Sequence, residues 1–501
     1  MENNTLKVSI DSKTKKSVVF PIVISGSIIL LMMVFGVLML LGQGNLLEIN
    51  PGMFYKIMTI HGTGMVGAGA LAGSAIMWYF LMQYVPLKQV AFTTNFVFFL
   101  IGVSMVLVGI FAFDFAGGWT FLYPLPAISG GMWGKTAATL YLSGMLVIGT
   151  GFLILFLEVS RAIMKEYGSF SNALGWPYIL GKKTGYGPPA AVVASTMVCI
   201  VDITALIAGA SILIMSIINI FISSFTIDPL LAKNLIYAFG HIFANSIIYM
   251  GVIAVYELLS RYTNRPWKSN KIFLIAWNMS TLFTIIIYPH HLLMDTVMPK
   301  WMLIIGQVLS YMNGMPVLVV TAYGALMIIY YSGIKWDVAS SFLFLSMFGW
   351  VIGVVPAIVD ATIVINHVMH NTKWVPGHFH MYMGIGACAM IIGFMYYLTK
   401  VEGGRTDRGV DRIALWFYLL FFLGVTGSFL FSGKVSAPRR WAEHYPEWIA
   451  ADVAGAIFGM VVTFCFLLFM VRYIHYASKI GKLVSLNDEY SSEQIRLKKH
   501  A

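Results

Sequence analysis

Histidine is the residue type in this sequence with the clearest capacity for chemistry inside an apolar environment. The chain contains 11 histidines, and six of them fall within or at the ends of long apolar segments. One such histidine is commonly a hydrogen-bonding residue between helices. A group of them is typical of a metal site, because the neutral imidazole ring is a good ligand for transition metals. The six are His61, His241, His290, His291, His378 and His380.

The spacing of these histidines indicates how many groups they could bind. His378 and His380 are two positions apart, which is about 200° around a helix, so their rings leave opposite faces and could serve two different cofactors. His290 and His291 are about 100° apart at the end of a segment, so both could reach one ion. A third imidazole from another helix would complete a three-histidine site with an open position, which suits copper or non-haem iron.

The segments that carry these residues are long enough to cross a membrane. Hydrophobic residues make up 59% of the 501 residues and charged residues only 11%, whereas soluble domains carry about 25% charged residues. This composition excludes a soluble enzyme, a nucleic-acid-binding protein and a secreted disulfide-bonded protein. We predict an all-α polytopic membrane protein with twelve transmembrane helices, near 18–42, 54–83, 91–114, 135–162, 189–223, 232–260, 271–293, 301–331, 340–363, 375–399, 412–432 and 450–476.

The distribution of positive charge predicts the orientation. Most of the 32 lysine and arginine residues lie before the first span, after the last span or in alternate loops, so the positive-inside rule places both termini in the cytoplasm. The net charge of +11 is attributed to this topology and to lipid headgroups, and no nucleic-acid partner is expected. In this orientation, four separate helices bring all six histidines to the outer part of the membrane, which predicts a shared metal site.

The chain is predicted to form one integral domain. A basic leader covers 1–17, the twelve spans cover 18–476, and a polar cytoplasmic tail covers 477–501.

A twelve-helix secondary transporter is the remote alternative. That class predicts broken spans, paired charges at the membrane midplane and similarity between the two halves of the chain, and the sequence has none of these features.

Five segments of the sequence resemble those of a known family. They are TIHGTGM, IDPLLAKNLIYAFGH, YPHHLLMD, VMHNTKWVPGHFHMYMG and SAPRRWAEHYP. Together they resemble the catalytic subunit of the haem-copper respiratory oxidase superfamily, and most closely its B-type branch. The resemblance extends over essentially the whole chain and implies the twelve-helix fold of that subunit.

The resemblance implies two haems and a second metal. His61 and His380 correspond to the two axial ligands of a low-spin haem. His378 corresponds to the ligand of a high-spin haem that keeps one side open for a gas. The second metal, copper or non-haem iron, would be held by His241, His290 and His291.

The resemblance also implies roles around the haems. Phe379 lies between the two haem ligands in the sequence and corresponds to a residue between the haems. Arg439 and Arg440 correspond to paired arginines that hold haem propionates, and ordinary loop charges are the alternative interpretation. His370 corresponds to a propionate or outer-metal position, although Asn366 stands where B-type members often have an acidic residue.

One position departs from the pattern of the oxygen-reducing members, which carry a tyrosine one helical turn after the histidine of span six. Here the residue is Asn245, and the nearest tyrosine is Tyr249, one turn further in. In the family, oxygen reduction uses four electrons, one of them from the tyrosine, whereas reduction of two nitric oxide molecules to nitrous oxide uses two, which the metals supply. Asn245 therefore favours nitric oxide reduction. The alternative is a B-type cytochrome c or quinol oxidase that reduces oxygen and translocates protons.

The sequence offers few residues for a proton path from the cytoplasm. The stretch below Asn245 is mostly apolar, which fits a reductase that does not pump protons. Interfacial tyrosines and an end-of-helix glutamate without such a role are the alternative interpretation. Asp202 and Asp360 have no assigned role. The candidates for the path are Tyr249, Tyr256, Glu257 and Thr321.

Electrons are expected to come from another subunit. The sequence has no Cys-x-x-Cys-His haem attachment and no copper-binding cysteine pair, and its three cysteines all lie in apolar segments. We expect a second subunit with a copper centre or haem c, and cytochrome c, a small copper protein or quinol as the donor. The expected location is the cytoplasmic (inner) membrane of a prokaryote.

Overall fold

The computed structural model describes residues 12–499, with side chains described at 15–313 and 316–480. A 3₁₀-helix (Tyr288–Leu292) continues α9, and a π-helix (Met381–Cys388) joins α13 to α14. The α-helices are α1 (Ser12–Gln43), α2 (Pro51–Leu81), α3 (Gln89–Phe111), α4 (Lys135–Tyr167), α5 (Phe170–Ala173), α6 (Trp176–Ile179), α7 (Ala190–Phe221), α8 (Pro229–Thr263), α9 (Lys271–Ile286), α10 (Lys300–Ile329), α11 (Val338–Ala361), α12 (Ile363–Met369), α13 (Trp374–His380), α14 (Ala389–Gly403), α15 (Gly409–Lys434) and α16 (Pro446–Lys499).

Twelve helical segments of the described chain are long and apolar enough to cross a membrane. This confirms the all-α polytopic fold with twelve spans, and the limits agree with the prediction to within a few residues at most ends. The ends of the chain differ most: α1 begins inside the predicted leader of 1–17, and α16 continues through most of the predicted tail of 477–501. Residues 1–11 and 500–501 lie outside the described part. The short helix α12 lies in a segment that the sequence predicts as an outer loop.

Two of the helices that carry histidines begin at well-defined caps. The side chains of Asn50 and Asp228 each accept a hydrogen bond from the backbone N–H three positions further on, and a proline follows each cap. An Asn or Asp N-cap followed by proline is a favourable start for a helix. Because the caps fix where α2 and α8 begin, they also fix the depth of His61 and His241 along these helices.

Three of the four histidine-bearing spans lie at the centre of the bundle. The most apolar window of α2 is 83% buried, and those of α8 and of the span Trp374–Gly403 are each 89% buried, whereas the other nine spans range from 31% to 56%. Helix α1 packs against both α2 and α16, so the first and last spans meet. The outer helices therefore expose apolar side chains to lipid. The three inner spans carry His61, His241, His378 and His380 in the interior of the bundle.

Close contact between α13 and α15 depends on a glycine. A Cβ atom added at Gly433 would lie 2.2 Å from the backbone nitrogen of Trp374, the first residue of α13. No real Cβ contact is this short, and the nearest atom is backbone, which cannot rotate away. Gly433 therefore allows α15 to lie directly against the helix that carries His378 and His380.

We expect Gly433→Ala to displace the start of α13 and to destabilise the protein by about 1–3 kcal/mol, the usual cost of overpacking. The thermal unfolding temperature of the purified protein in detergent measures the effect. Gly427→Ala on the same helix is the control, because a Cβ there meets nothing within 4 Å. Equal unfolding temperatures for the two variants would contradict the packing argument.

Candidate active site

All six intramembrane histidines line one cavity of about 480 Å³ between the inner helices. They come from four places in the chain: α2, α8, the 3₁₀-helix after α9, and α13. The sequence predicted a shared depth for these residues, and the structure places them around a common space. The same cavity is lined by Phe379, His370, Arg439, Arg440, Asn245 and Tyr249.

His61 and His380 face each other across part of the cavity. Their ring centroids are 6.2 Å apart, and the ring planes differ by 16°. His61 Nδ1 donates to the Met32 carbonyl oxygen and His380 Nδ1 donates to the Pro376 carbonyl oxygen, both at 2.7 Å. With Nδ1 occupied, Nε2 of each ring keeps a free lone pair.

This opposed pair fits a single metal between two imidazoles. Two rings that bind one ion through Nε2, with bonds of about 2.0 Å, have centroids about 6.3 Å apart, which is close to the observed 6.2 Å. The hydrogen bond from the second ring nitrogen to a carbonyl is the usual support of a metal-bound histidine. His61 and His380 therefore could hold the iron of a haem from both sides.

His241, His290 and His291 form a second cluster. One ligand atom from each lies within 4.8 Å of the others, and His241 Nδ1 is 3.0 Å from His291 Nε2. Ligands on a tetrahedral ion with bonds of about 2.0 Å are about 3.3 Å apart. The Ser310 hydroxyl donates to the Gly306 carbonyl oxygen, so it accepts from His290 Nδ1 at 2.8 Å and leaves Nε2 of that ring available.

Two neighbours hold the rings of this cluster. The ring of Tyr237 stacks on that of His291, with centroids 5.3 Å apart and planes that differ by 11°. The amide nitrogen of Asn245 donates to the His241 carbonyl oxygen at 2.7 Å and lies 3.2 Å from His241 Nε2. The side chain of Asn245 therefore lies against His241, one of the three histidines of the cluster.

His378 points to a different set of neighbours from His380. Its Nδ1 lies 4.0 Å from the Asp360 carboxylate, and its ring meets that of Tyr382 edge-on at 6.3 Å. The two rings thus leave α13 toward separate parts of the cavity, as their spacing predicts, and Phe379 lines the cavity between them. The π-helix that begins at Met381 follows directly, and such stretches are frequent at functional sites.

The loop between α15 and α16, which carries Arg439 and Arg440, lines one side of the cavity. The Arg439 N–H donates to the Asn371 carbonyl oxygen at 2.9 Å, and Arg440 donates to the Thr120 hydroxyl at 2.6 Å. Neither arginine forms an ion pair within the described part of the chain, and Arg439 Nε has no hydrogen-bond partner there. Desolvation and the neighbouring Arg440 lower the pKa of Arg439 to about 10, and desolvation also lowers the pKa of Arg440.

Two guanidinium groups that line a cavity and have no ion-pair partner in the described part of the chain suit a ligand with carboxylates. Haem propionates have this chemistry. His370 lies beside the arginines, and desolvation together with their positive charge lowers its pKa to about 4. At neutral pH His370 is therefore uncharged, and it adds a hydrogen-bonding group to this side of the cavity without a third positive charge.

The candidates for a proton path are only partly brought together. Tyr249 lines the cavity, and its hydroxyl is 3.4 Å from that of Thr284. Below it, the Tyr256 hydroxyl is 2.7 Å from that of Thr321. Glu257 leaves the same helix in another direction, where it accepts a hydrogen bond from Tyr84 at 2.8 Å and lies 3.8 Å from Arg261.

Several polar residues of the cavity have no role assigned from the sequence. Asp360 and Lys373 both line it, and Lys373 is buried in an ion pair with Asp452, at 2.8 Å from the Gln43 side-chain oxygen. Trp119, in the loop before α4, also lines the cavity. Lys373 lies inside the segment VMHNTKWVPGHFHMYMG, so its sequence position could have identified it, whereas Trp119 lies outside every motif.

The fold and the site define an all-helical membrane protein with a polyhistidine cavity at its centre. Residues 16–469 match the family described as Cytochrome C and Quinol oxidase polypeptide I. Because the match covers most of the chain, the protein belongs to this family. The match confirms the resemblance to the haem-copper superfamily, and assignment to the B-type branch stays a prediction.

Several known proteins are similar to this chain. Cytochrome c oxidase subunit 1 of Thermus thermophilus is 23% identical over 269 residues, which cover 49% of this chain and 48% of that protein. The protein of the same name from Cereibacter sphaeroides is 22% identical over 273 residues, which cover 53% and 46%. The aligned region thus spans about half the length of these relatives.

A solved structure described as a heme-copper terminal oxidase dimer matches this fold with a TM-score of 0.77 at 18% identity. The match covers 94% of this chain and 84% of that chain. It shows that both chains have the same fold.

We expect His290→Ala to lower the content of the second metal by at least about tenfold, because the cluster loses one of its three ligands and loss of a residue that merely supports a ligand already costs about 10- to 100-fold in affinity. Elemental analysis of copper and iron per polypeptide in the purified protein measures the effect. His475→Ala is the control, since His475 is exposed and far along α16. A full equivalent of the metal in His290→Ala would show that it binds elsewhere.

Proposed function

We propose that this chain is the catalytic subunit of a membrane-bound terminal reductase that reduces a small gas. The observation that carries the proposal is that one short helix, α13, directs His380 toward His61 and His378 toward a different part of the cavity, which the three-histidine cluster also lines. Relatives that share this family are named cytochrome c oxidase subunit 1, and family membership supports an oxidoreductase with two haems and copper.

Different residues of the cavity are proposed to hold different cofactors. His61 and His380 would hold a low-spin haem and His378 a high-spin haem, while His241, His290 and His291 would hold copper or non-haem iron. When bound, the haems and the second metal would supply the electron-transfer chemistry for the reduction. Arg439, Arg440 and His370 would bind the haem propionates, and Phe379 would separate the two haems.

Nitric oxide is the acceptor that Asn245 favours. Its amide lies beside His241, so the residue next to the second metal is an uncharged hydrogen-bonding group that cannot supply an electron. The conversion of two molecules of nitric oxide to nitrous oxide and water takes two protons and two electrons, which metals held by His378 and by the three-histidine cluster would supply. No further electron donor at the position of Asn245 is required for this reaction.

Oxygen is the second candidate acceptor. The names of the curated relatives support it, and Tyr249 lines the cavity one turn below Asn245. In a B-type oxidase, oxygen reduction to water would be coupled to proton translocation.

Protons would reach the cavity along the side of α8 that carries Tyr256 and Tyr249. The proposed steps run from the pair Tyr256–Thr321 to the pair Tyr249–Thr284 and then to Asn245. The ring of Trp277 contacts both tyrosines, so apolar surface interrupts the route, which supports a reductase that does not pump. The contacts of Glu257 with Tyr84 and Arg261 support a structural role rather than the start of a path.

Electrons would enter from a second subunit that carries a copper centre or haem c. Cytochrome c, a small copper protein or quinol would be the donor. The protein would lie in the cytoplasmic membrane of a prokaryote with both termini in the cytoplasm and with lipid around the outer helices. No contact with nucleic acid is proposed.

We expect His378→Ala to remove the high-spin haem signal and to spare the low-spin one, because the two haems are proposed to depend on different residues. His61→Ala should have the reverse effect. Optical and electron paramagnetic resonance spectra of the purified complex distinguish the two haems. If both changes abolish the same signal, the two haems are wrongly assigned, and a colourless wild-type preparation after haem-replete expression would exclude the proposed function.

We expect the intact complex to reduce nitric oxide faster than oxygen, with nitrous oxide as the product. Asn245→Leu should lower the rate by about 10- to 100-fold, the usual effect of removing a group that supports a metal ligand. Steady-state assays with each gas test both points. Fast oxygen turnover without peroxide, together with negligible nitrous oxide, would favour the oxidase instead.

A further inference from the structure

The second ring nitrogen of His378 has no hydrogen-bond partner in the described part of the chain. This Nδ1 atom is buried, whereas His61 and His380 donate Nδ1 to carbonyl oxygens and His290 donates to a serine hydroxyl. A ligating histidine almost always donates its second N–H to a carboxylate, a carbonyl or a water, and that partner sets the basicity of the ligand. The missing partner of His378 therefore needs an explanation.

The nearest acidic group is the side chain of Asp360. Its Oδ2 atom lies 4.0 Å from His378 Nδ1, a gap that one water or a small rotation of the carboxylate would close. An acidic residue at position 360 does not stabilise α11, because Asp360 lies in the last turn of that helix, where the helix dipole disfavours a negative charge.

Two neighbouring residues orient the Asp360 carboxylate and balance part of its charge. The amide nitrogen of the buried residue Asn366 donates to the Asp360 carbonyl oxygen at 2.6 Å and lies 3.4 Å from Oδ1. The contact with Oδ1 leaves Oδ2 as the carboxylate oxygen on the side of His378. Arg439 attracts the carboxylate electrostatically and compensates part of its charge.

We propose that Asp360 is a positioning residue that accepts the Nδ1 hydrogen of His378, directly or through one water, and so makes His378 a stronger electron donor to iron. This inference rests on the proposed function, because His378 must hold the high-spin haem. A carboxylate partner gives the ring partial imidazolate character, which strengthens the iron–histidine bond and lowers the reduction potential of the iron. His61 and His380 have neutral carbonyl partners and lack this effect. The histidine ligands of the two haems would therefore differ in how strongly they donate electrons to iron.

The iron–histidine stretching band of the ferrous complex, measured by resonance Raman spectroscopy and assigned with isotopically labelled iron, tests the proposal. Asp360→Asn keeps the size of the side chain and removes its charge, so the band should move to lower frequency and the potential of the high-spin haem should rise. Asp360→Glu should restore part of both changes. Asp202→Asn is the matched control, because Asp202 is also a buried carboxyl group inside a span but does not line the cavity.

The outcomes separate this inference from the proposed function. A wild-type complex without a high-spin haem and without an iron–histidine band would reject the function itself. A normal wild-type band that is unchanged in Asp360→Asn would overturn only the role of Asp360. Loss of the high-spin haem from both Asp360→Asn and Asp360→Glu would also overturn it, because Asp360 would then be needed only for folding around the haem.

Discussion

Imidazole rings in the cavity depend on protein groups for hydrogen bonds, because the hydrocarbon surroundings offer no bulk water to a ring nitrogen. His61 and His380 meet this constraint through backbone carbonyl oxygens, and His290 meets it through a serine hydroxyl. Each bond uses one nitrogen of the ring and leaves the other free to bind a metal. The direction of these three rings is therefore set by two helix carbonyls and one hydroxyl.

The same constraint accounts for the outer cover of the cavity. The bridge between Thr372 and Pro438 and the backbone bonds at Lys373 and Arg439 join the segment before α13 to the loop after α15. This pairing satisfies backbone groups that no helix can satisfy at this point. It also brings Arg439 and Arg440 close to the helix that carries His378 and His380. The backbone bonds therefore fix the position of the two positive charges relative to these histidines.

Much of this arrangement could be predicted from the sequence, because span length and helical spacing are local properties. Twelve spans follow from hydropathy, and the separation of His378 from His380 follows from the angle between alternate residues. Contacts between distant parts of the chain could not be predicted in this way. Lys373 meets Gln43 across 330 positions, and Asp360 approaches His378 only because α11 packs against α13. The π-helix after His380 was also missed, since no residue type in MYMGIGAC requires it.

The position of the cavity has an electrical consequence. His61, His241 and His380 all lie in the first half of their spans, counted from the side that is predicted to face outward. A proton that arrives from the opposite side therefore crosses most of the membrane field, which is worth about 2.3 kcal/mol per elementary charge at 100 mV. A proton that arrives from the near side crosses little of it. The membrane potential would therefore affect turnover only if protons arrive from the opposite side. The side from which protons enter determines whether the reaction moves charge across the membrane and so contributes to the membrane potential.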